Sequence, residues 1–568
     1  MTEHHDSKIP WWKKTTVYQI YPRSFLDSSG NGIGDLNGIL SKLDYLKDLG
    51  IETIWISPFF ASPTWKAYKQ HDCGYDIIDY RDVNPEYGSL ETVDLLIKEI
   101  HDRDMRIVLD MVLNHTSAEH EWFRESRSSK DNPKRDWYIW RDGKKPGGKK
   151  PPNNWRAMIM GSPWHYDTQT DQWYYAAFLK FQPDLNFRNP EVQQEMLDTL
   201  RFWLKRGVDG FRLDIINALF EDAEFRNAPF TCKLFSEDLD TLFKSSRMNL
   251  NHPDTIEFCK RLRKTMDEFG NPSRFMVGEI IASLPTIKRF LGENTDGLNL
   301  SFLFKSLNVP LNAQKVRQLI QLYEEYLPEP FIPTWVFGNH DTFRRISKLN
   351  GSMKKAKLNA ALQLTARGVP FIYYGEEIGM EQADIKPKDS LDPLARHFRR
   401  INTQFVHSII GKFGQSIIRD GCRTPMQWND TENAGFSMAG VRTWLPVTAS
   451  HKERNVLAQE RDPDSLLHCY KRFLRIRRET PSLHSGDLKI MPPKDIPKNI
   501  LSYVRSFCDE GRTQTVDIFL NFSSKPVRFM TPLKNLKLLT STTIKSNPFQ
   551  KDGEIVLTPW EGIVLKGE

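Results

Sequence analysis

Short apolar runs rich in β-branched and aromatic residues alternate, for most of this chain, with segments whose apolar residues recur at three- and four-residue spacing. The runs TTVYQIYP (15–22), IETIWISP (51–58), RIVLDMVL (106–113), GFRLDI (210–215), RFMVGEI (274–280), LNLSFLF (298–304), PTWVFGN (333–339) and VPFIYYGEE (369–377) read as buried strands. Between them LNGILSKLDYLKDLG, LETVDLLIKEIHDRDM, EVQQEMLDTLRFWLKRG and KKAKLNAALQLTARG read as crossover helices. Eight such strands favour a closed (β/α)8 TIM barrel of the α/β class over an open doubly wound sheet.

The pattern breaks twice. Residues 115–189, between the third and fourth strands, are too many for a loop, and their WYIW and QWYYAAF runs look like short strands. An inserted subdomain is expected there, with RDGKKPGGKKPPNNW as its Lys/Gly/Pro-rich surface segment. From 481 to 568, alternating runs such as NILSYVRSF, TVDIFLNF and EGIVLKGE take over and predict an all-β sandwich. The barrel is thus expected from 1–114 and 190–480.

Composition narrows the class but names no partner. A hydrophobic share of 39% with 27% charged residues excludes collagen, coiled coil and wholesale disorder. A net charge of +7 over 568 residues, without a basic stripe, gives no sign of nucleic-acid binding. The six cysteines show no CxxC spacing, which argues against a zinc site or a disulfide scaffold and suits a reducing compartment. No leader-like or membrane-spanning apolar run is visible, so a cytoplasmic monomer is the expectation.

The chemistry lies where polar residues interrupt the strand ends, since a barrel draws its reacting groups from the carboxyl ends of several strands. Asp110, Asn114 and His115 end the third run, Arg212 and Asp214 the fourth, Glu279 the fifth, and His340 and Asp341 the seventh. A charge at the end of one buried strand is usually a structural salt bridge, but carboxylates and imidazoles from four strands aimed at one mouth point to catalysis. Carboxylates with His and Arg, and no phosphate-cradling Gly-rich loop, suit glycoside hydrolysis.

With these residues in view, the chain resembles the α-amylase family of glycoside hydrolases (family 13), in its α-glucosidase and oligo-1,6-glucosidase branch. The matching segments run in the family's order: YQIYPRSF (18–25), DCGYDI (72–77), DMVLNHTS (110–117), QPDLNF (182–187), GFRLDI (210–215), VGEI (277–280), GNHDTFR (338–344) and RTPMQW (423–428). The resemblance implies a retaining, exo-acting enzyme on small oligosaccharides or disaccharides. It makes Asp214 the nucleophile, held ionised by Arg212; Glu279 the acid and then base; and Asp341 the carboxylate that distorts the sugar. It also implies that His115 and His340 bond the sugar hydroxyls, that Asp72 and Arg423 close the blind end, and that Tyr75 and Phe178 offer flat faces. A starch-type endo-amylase fits the blind-end pair less well, and an inactive interaction protein would lack the three carboxylates.

No cofactor is required for this chemistry. The loop DSSGNGIGD resembles the branch's structural calcium loop, with Asp27, Ser29, Asn31, the Ile33 carbonyl and Asp35 as ligands. Asn31 and Ser29 depart from the usual pattern, and a metal-free hydrogen-bonded turn is the alternative. Cys73 and Cys422, beside Asp72 and Arg423, receive no role. Ile215, after the nucleophile, keeps the apolar bulk that in this branch goes with α-1,6 linkages, while α-1,4 cleavage, sucrose hydrolysis and transglucosylation stay open.

Overall fold

All eight runs form strands: β1 (Val17–Ile20), β2 (Thr53–Ile56), β3 (Arg106–Met111), β4 (Gly210–Leu213), β5 (Phe275–Gly278), β6 (Leu300–Ser301), β7 (Thr334–Val336) and β8 (Val369–Tyr373). The computed structural model describes residues 9–63, 72–144, 148, 150–158, 161–233, 236–240, 244–270, 272–397, 418–531, 535–550 and 553–567. The strands are parallel in the order β6-β5-β4-β3-β2-β1-β8-β7. Side chains join the two ends of this ladder. The Thr334 hydroxyl donates to the Ser301 carbonyl at 2.8 Å and accepts from the Leu303 N–H, and the Ser306 hydroxyl donates to the Val336 carbonyl at 2.7 Å.

Period-two alternation sorts each strand into an inner and an outer face. Val17, Trp55, Val108, Phe275, Val277, Leu300, Val336, Val369 and Phe371 pack into one cluster inside the barrel, closed by Trp12 from the N-terminal turn Trp11–Lys14. Their strand neighbours Tyr18, Ile54, Ile107, Leu109, Phe211, Met276, Trp335 and Ile372 belong to the larger core shared with the surrounding helices. The inner positions nearer the carboxyl ends are polar: Gln19, Asp110 and Arg212 follow Val17, Val108 and Gly210 on the same faces. The site is thus the continuation of the inner core, with charge in place of hydrocarbon.

The helices follow the same logic. In Leu90–His101, Val93, Leu96, Ile97 and Ile100 make the buried stripe, and Ser89 caps the first turn with Thr92 bonding back. Each such side chain contributes about 1.5–3 kcal/mol by leaving water. LNGILSKLDYLKDLG departs from the single expected helix: Leu36–Leu40 and Leu43–Leu49 are separate helices, the second ending at Gly50 with φ of 100°.

The chain leaves the barrel after β3 and returns through a narrow neck where His115 bridges Asp184 and Tyr138 bridges Leu185. The expected short strands appear as Trp140–Arg141 and Gln172–Tyr175, joined by Trp164–Asp167, which the sequence pattern did not single out. Within the Lys/Gly/Pro-rich segment, residues 145–147 and 149 lie outside the described residues. Helix persists slightly past the expected end, to Pro481–Ser485, before an antiparallel five-stranded sheet begins at Asp487–Ile490. In the C-terminal strands Ile500, Phe519, Ile563 and Leu565 face the small sheet of Val527–Met530 and Glu554–Leu557. Leu501, Tyr503, Ile518, Leu520 and Val564 face the barrel core. No helix among the described residues is long and apolar enough to cross a membrane.

Candidate active site

Arg212 organises the mouth of the barrel. It projects inward from β4 and is 1% exposed, so its charge needs partners that water cannot supply. Nη1 donates to Asp110 Oδ1 at 2.7 Å and to Asp214 Oδ1 at 2.6 Å, and Nη2 donates to Glu279 Oε2. Carboxyl groups from the ends of three adjacent strands therefore meet on one guanidinium. Trp55 and Tyr75 wall this cation, with ring centroids 5.4 and 5.8 Å away.

A second cluster forms around Asp341. Arg423 Nη2 donates to Asp341 Oδ1 at 2.7 Å, Arg419 Nη1 reaches the same oxygen at 3.2 Å, and His340 Nε2 lies 3.0 Å from Oδ2. Arg419 also donates to Asp72 Oδ1 at 2.6 Å and to both oxygens of Asp392, at 2.8 and 2.9 Å. The two residues expected at the blind end engage different partners. Asp72 is bonded by Arg419, while Arg423 holds Asp341 and, through Nε, the His340 carbonyl at 2.7 Å.

The two clusters meet through Tyr75, whose hydroxyl donates to Asp110 Oδ2 at 3.0 Å and lies 2.7 Å from His340 Nε2. Its ring stacks on His340 at 5.3 Å, so this aromatic is tied into the polar network rather than left as a free platform. His115 sits at the flank, 3.0 Å from both Asn114 Oδ1 and the Tyr75 carbonyl through its two ring nitrogens. Phe178 tilts against it at 5.4 Å and packs near Ile215. The structure therefore brings Asp72, Tyr75, Arg212, Asp214, Glu279, His340, Asp341 and Arg423 into one network, with His115 and Phe178 beside it.

Three arginines in this network face six carboxyl groups, so charge is unequally shared. Burial, reinforced by Asp214 and Asp341, pushes Glu279 up to about 8 against the pull of Arg212, and burial pushes Asp110 up to about 7. For Asp341 burial acts upward too, but His340, Arg419 and Arg423 together hold it well below the usual carboxylate range. Burial lowers both His115 and His340. Glu279 is thereby kept protonated near an ionised Asp341, a contrast that acid–base chemistry needs.

Arg419 and Asp392 escaped the sequence reading because they lie outside the strand ends; the only signal was the RD pair just before GCRT. Cys73 and Cys422 are buried thiols outside any disulfide. Arg423 Nη1 lies 3.5 Å from the Cys73 sulfur, and burial pushes the two thiols up to about 11 and about 12.

The 27–35 loop does not join this site, and its carboxylates bond N–H groups and hydroxyls around them. Asp27 Oδ1 accepts from the N–H groups of Ser29, Gly30 and Asn31 at 3.1, 2.7 and 3.3 Å, and Oδ2 accepts from Gly32 N–H at 2.8 Å and the Ser437 hydroxyl at 2.6 Å. Asp35 takes the Ser28 N–H and hydroxyl and caps Leu36–Leu40 through Gly38 N–H at 2.7 Å. Asn31 Oδ1 accepts from Ile33 N–H at 2.8 Å, and the Ser29 hydroxyl turns to Asp27. These bonds close the loop on its own donors, the hydrogen-bonded turn that the sequence offered as the alternative to the ligand set of Asp27, Ser29, Asn31, Ile33 and Asp35. Among the described residues no group of three or more His, Cys, Asp and Glu could hold a metal ion.

The profile of the α-amylase catalytic domain matches residues 19–486, and the chain belongs to that family of glycoside hydrolases. It is 39% identical over 567 residues to a probable α-glucosidase of Rhizobium meliloti (strain 1021), covering 97% of this chain and 96% of that protein. An oligo-1,6-glucosidase of Parageobacillus thermoglucosidasius is 36% identical over 586 residues, covering 98% and 99%. Among solved structures, the α-glucosyl transfer enzyme XgtA superposes with a TM-score of 0.85 at 36% identity, covering 99% of this chain and 100% of that one.

Proposed function

We propose that this chain is a retaining, exo-acting α-glucosidase that releases glucose from the non-reducing end of short α-glucosides, with a preference for α-1,6 linkages. The observation that carries this reading is the Arg212 guanidinium, which bonds Asp214 through one nitrogen and Glu279 through the next. Two carboxyl groups held on neighbouring nitrogens favour the close spacing, about 5–5.5 Å, of enzymes that form a covalent glycosyl intermediate. In this mechanism Asp214 attacks the anomeric carbon while Glu279 gives its proton to the leaving oxygen. Glu279 then takes a proton from the incoming water, whose oxygen bonds the anomeric carbon as the bond to Asp214 breaks. Asp341, held ionised by its cations, balances positive charge developing on the sugar ring.

The relatives named as an α-glucosidase and an oligo-1,6-glucosidase support the substrate class. The linkage preference rests on Ile215, which packs with Ala218 and Leu250 against Met158, Phe178, Leu239 and Ile281. Its backbone is left-handed, with φ of 33° and ψ of 46°, a costly conformation for a β-branched residue. That turn sets the apolar side chain directly beyond the nucleophile. The likeness to a glucosyl transfer enzyme favours a sugar hydroxyl as a second acceptor beside water. Incubation with isomaltose, maltose, sucrose and trehalose, with separation of the products, tests linkage and acceptor together: glucose from isomaltose in preference to maltose is the expected result, and turnover of none of the four overturns the reading.

A further inference from the structure

Gln19 is the inward residue of β1 next above Val17 and is 1% exposed. Its Nε2 lies 2.8 Å from His340 Nδ1 and 3.1 Å from the Ser57 hydroxyl. An amide N–H donates, so Nδ1 accepts and carries no proton. On the opposite side of the ring, His340 Nε2 lies 2.7 Å from the Tyr75 hydroxyl and 3.0 Å from Asp341 Oδ2. Tyr75 gives its single proton to Asp110 Oδ2, so its oxygen accepts from the imidazole; ionised Asp341 can only accept. Both neighbours of Nε2 call for a proton there, and the neighbour of Nδ1 supplies one of its own.

We propose that Gln19 is a positioning residue that holds His340 as the neutral tautomer protonated on Nε2, aiming that single N–H at the Tyr75 oxygen and Asp341 Oδ2. The inference rests on the glycosidase reading above and extends it to a residue that touches neither substrate nor reacting carboxylate. The result is a directed chain: Gln19 donates to His340, His340 to Tyr75, and Tyr75 to Asp110, which also accepts from Arg212, the residue that holds Asp214 and Glu279. The other groups around the imidazole leave the assignment intact. The Arg423 guanidinium and Cys422 thiol bond the His340 carbonyl, Tyr21 stacks at 6.3 Å, and Trp55 meets it edge-on at 6.3 Å. Arg423, Arg212 and burial all disfavour the charged ring, and Asp341 alone opposes them. A donor behind an imidazole that selects its tautomer is a recurrent device where the ring acts.

Gln19→Glu keeps the size of the side chain but presents only acceptors to Nδ1. In that variant a charged imidazole still donates from Nε2, whereas the neutral ring places its proton on Nδ1 and the donor is lost. The alkaline limb of kcat is therefore expected to move to lower pH, with a loss of about 10–100-fold above it. An extra negative charge acting only as charge raises Glu279 further and moves the limb to higher pH. Gln19→Met, which cannot donate, lowers kcat across the range without moving the limb. Imidazole 15N spectra of histidine-labelled protein, assigned with His340→Gln, read the tautomer independently of turnover: bare Nδ1 and protonated Nε2 in the native chain, reversed in the Glu variant. A native chain protonated on Nδ1, or a Glu variant with unchanged spectrum and pH limb, overturns the proposal. Failure to turn over any α-glucoside overturns the glycosidase reading instead, while the spectra still decide the tautomer.

Discussion

At the mouth of the barrel six carboxyl groups share three arginines, whereas in the 27–35 loop two carboxylates face main-chain N–H groups and hydroxyls. Both regions are rich in aspartate, and both looked functional in sequence. The difference lies in the donors. A main-chain N–H satisfies a carboxylate without adding mobile charge, which makes a rigid turn. At the mouth burial pushes Glu279 up to about 8 against Arg212, while His340, Arg419 and Arg423 hold Asp341 low, so the proton affinities stand far apart. The first arrangement stabilises; the second is poised to move protons.

The contrast breaks most sharply under isosteric substitution. Asp214→Asn and Glu279→Gln are each expected to cut kcat/KM by several orders of magnitude, roughly 10³-fold or more, with an unchanged melting curve. Activity within tenfold of the native chain, measured on isomaltose, would remove the roles assigned to them.

Next in size is the residue beyond the nucleophile. Ile215→Thr or Ile215→Ala is expected to raise turnover of maltose relative to isomaltose by roughly ten- to two-hundred-fold, since such pocket changes are worth about 1–3 kcal/mol. If Ile215 merely packs, both substrates suffer alike and only stability falls, by about 2–5 kcal/mol for the Ala change. Specificity constants for the two sugars, read beside a melting curve, separate the outcomes.

The loop should show the opposite behaviour. Asp27→Asn turns an amide N–H toward donors that now meet a carboxylate, and the orphaned groups are expected to cost about 1–3 kcal/mol of stability in urea denaturation. The specific activity of the folded fraction should stay at the native level. A chelator should leave the melting temperature unchanged; a fall that calcium alone restores would show a cation site that the observed hydrogen bonds do not form.

Much of this was legible in sequence because barrel physics repeats. A buried parallel strand needs an unbroken apolar run, and each run from Val17 to Tyr373 showed it. Polar residues at the ends of such runs have few reasons to be there, which exposed Asp214, Glu279 and Asp341. Arg419 and Asp392 sit on connections without periodic pattern, and nothing local told that Asp72 would be taken by Arg419. The Asp27 loop was open to two readings because alternating oxygen-bearing residues and glycines serve a cation and an N–H-filled turn equally well. Gln19 was hidden for a related reason: one amide inside an apolar run carries meaning only once the fold sets it against an imidazole from β7's far end.

The central claim, that Arg212 holds a nucleophile beside a separately protonated acid, is tested most directly by trapping the intermediate. In Glu279→Gln, a glucosyl fluoride, whose leaving group needs little protonation, should still glycosylate the enzyme, and the missing base should slow its release. Peptide mass spectrometry is predicted to find the glucosyl group on Asp214. Label on another residue, or β-glucose as the first product of the native enzyme by NMR, would contradict the account.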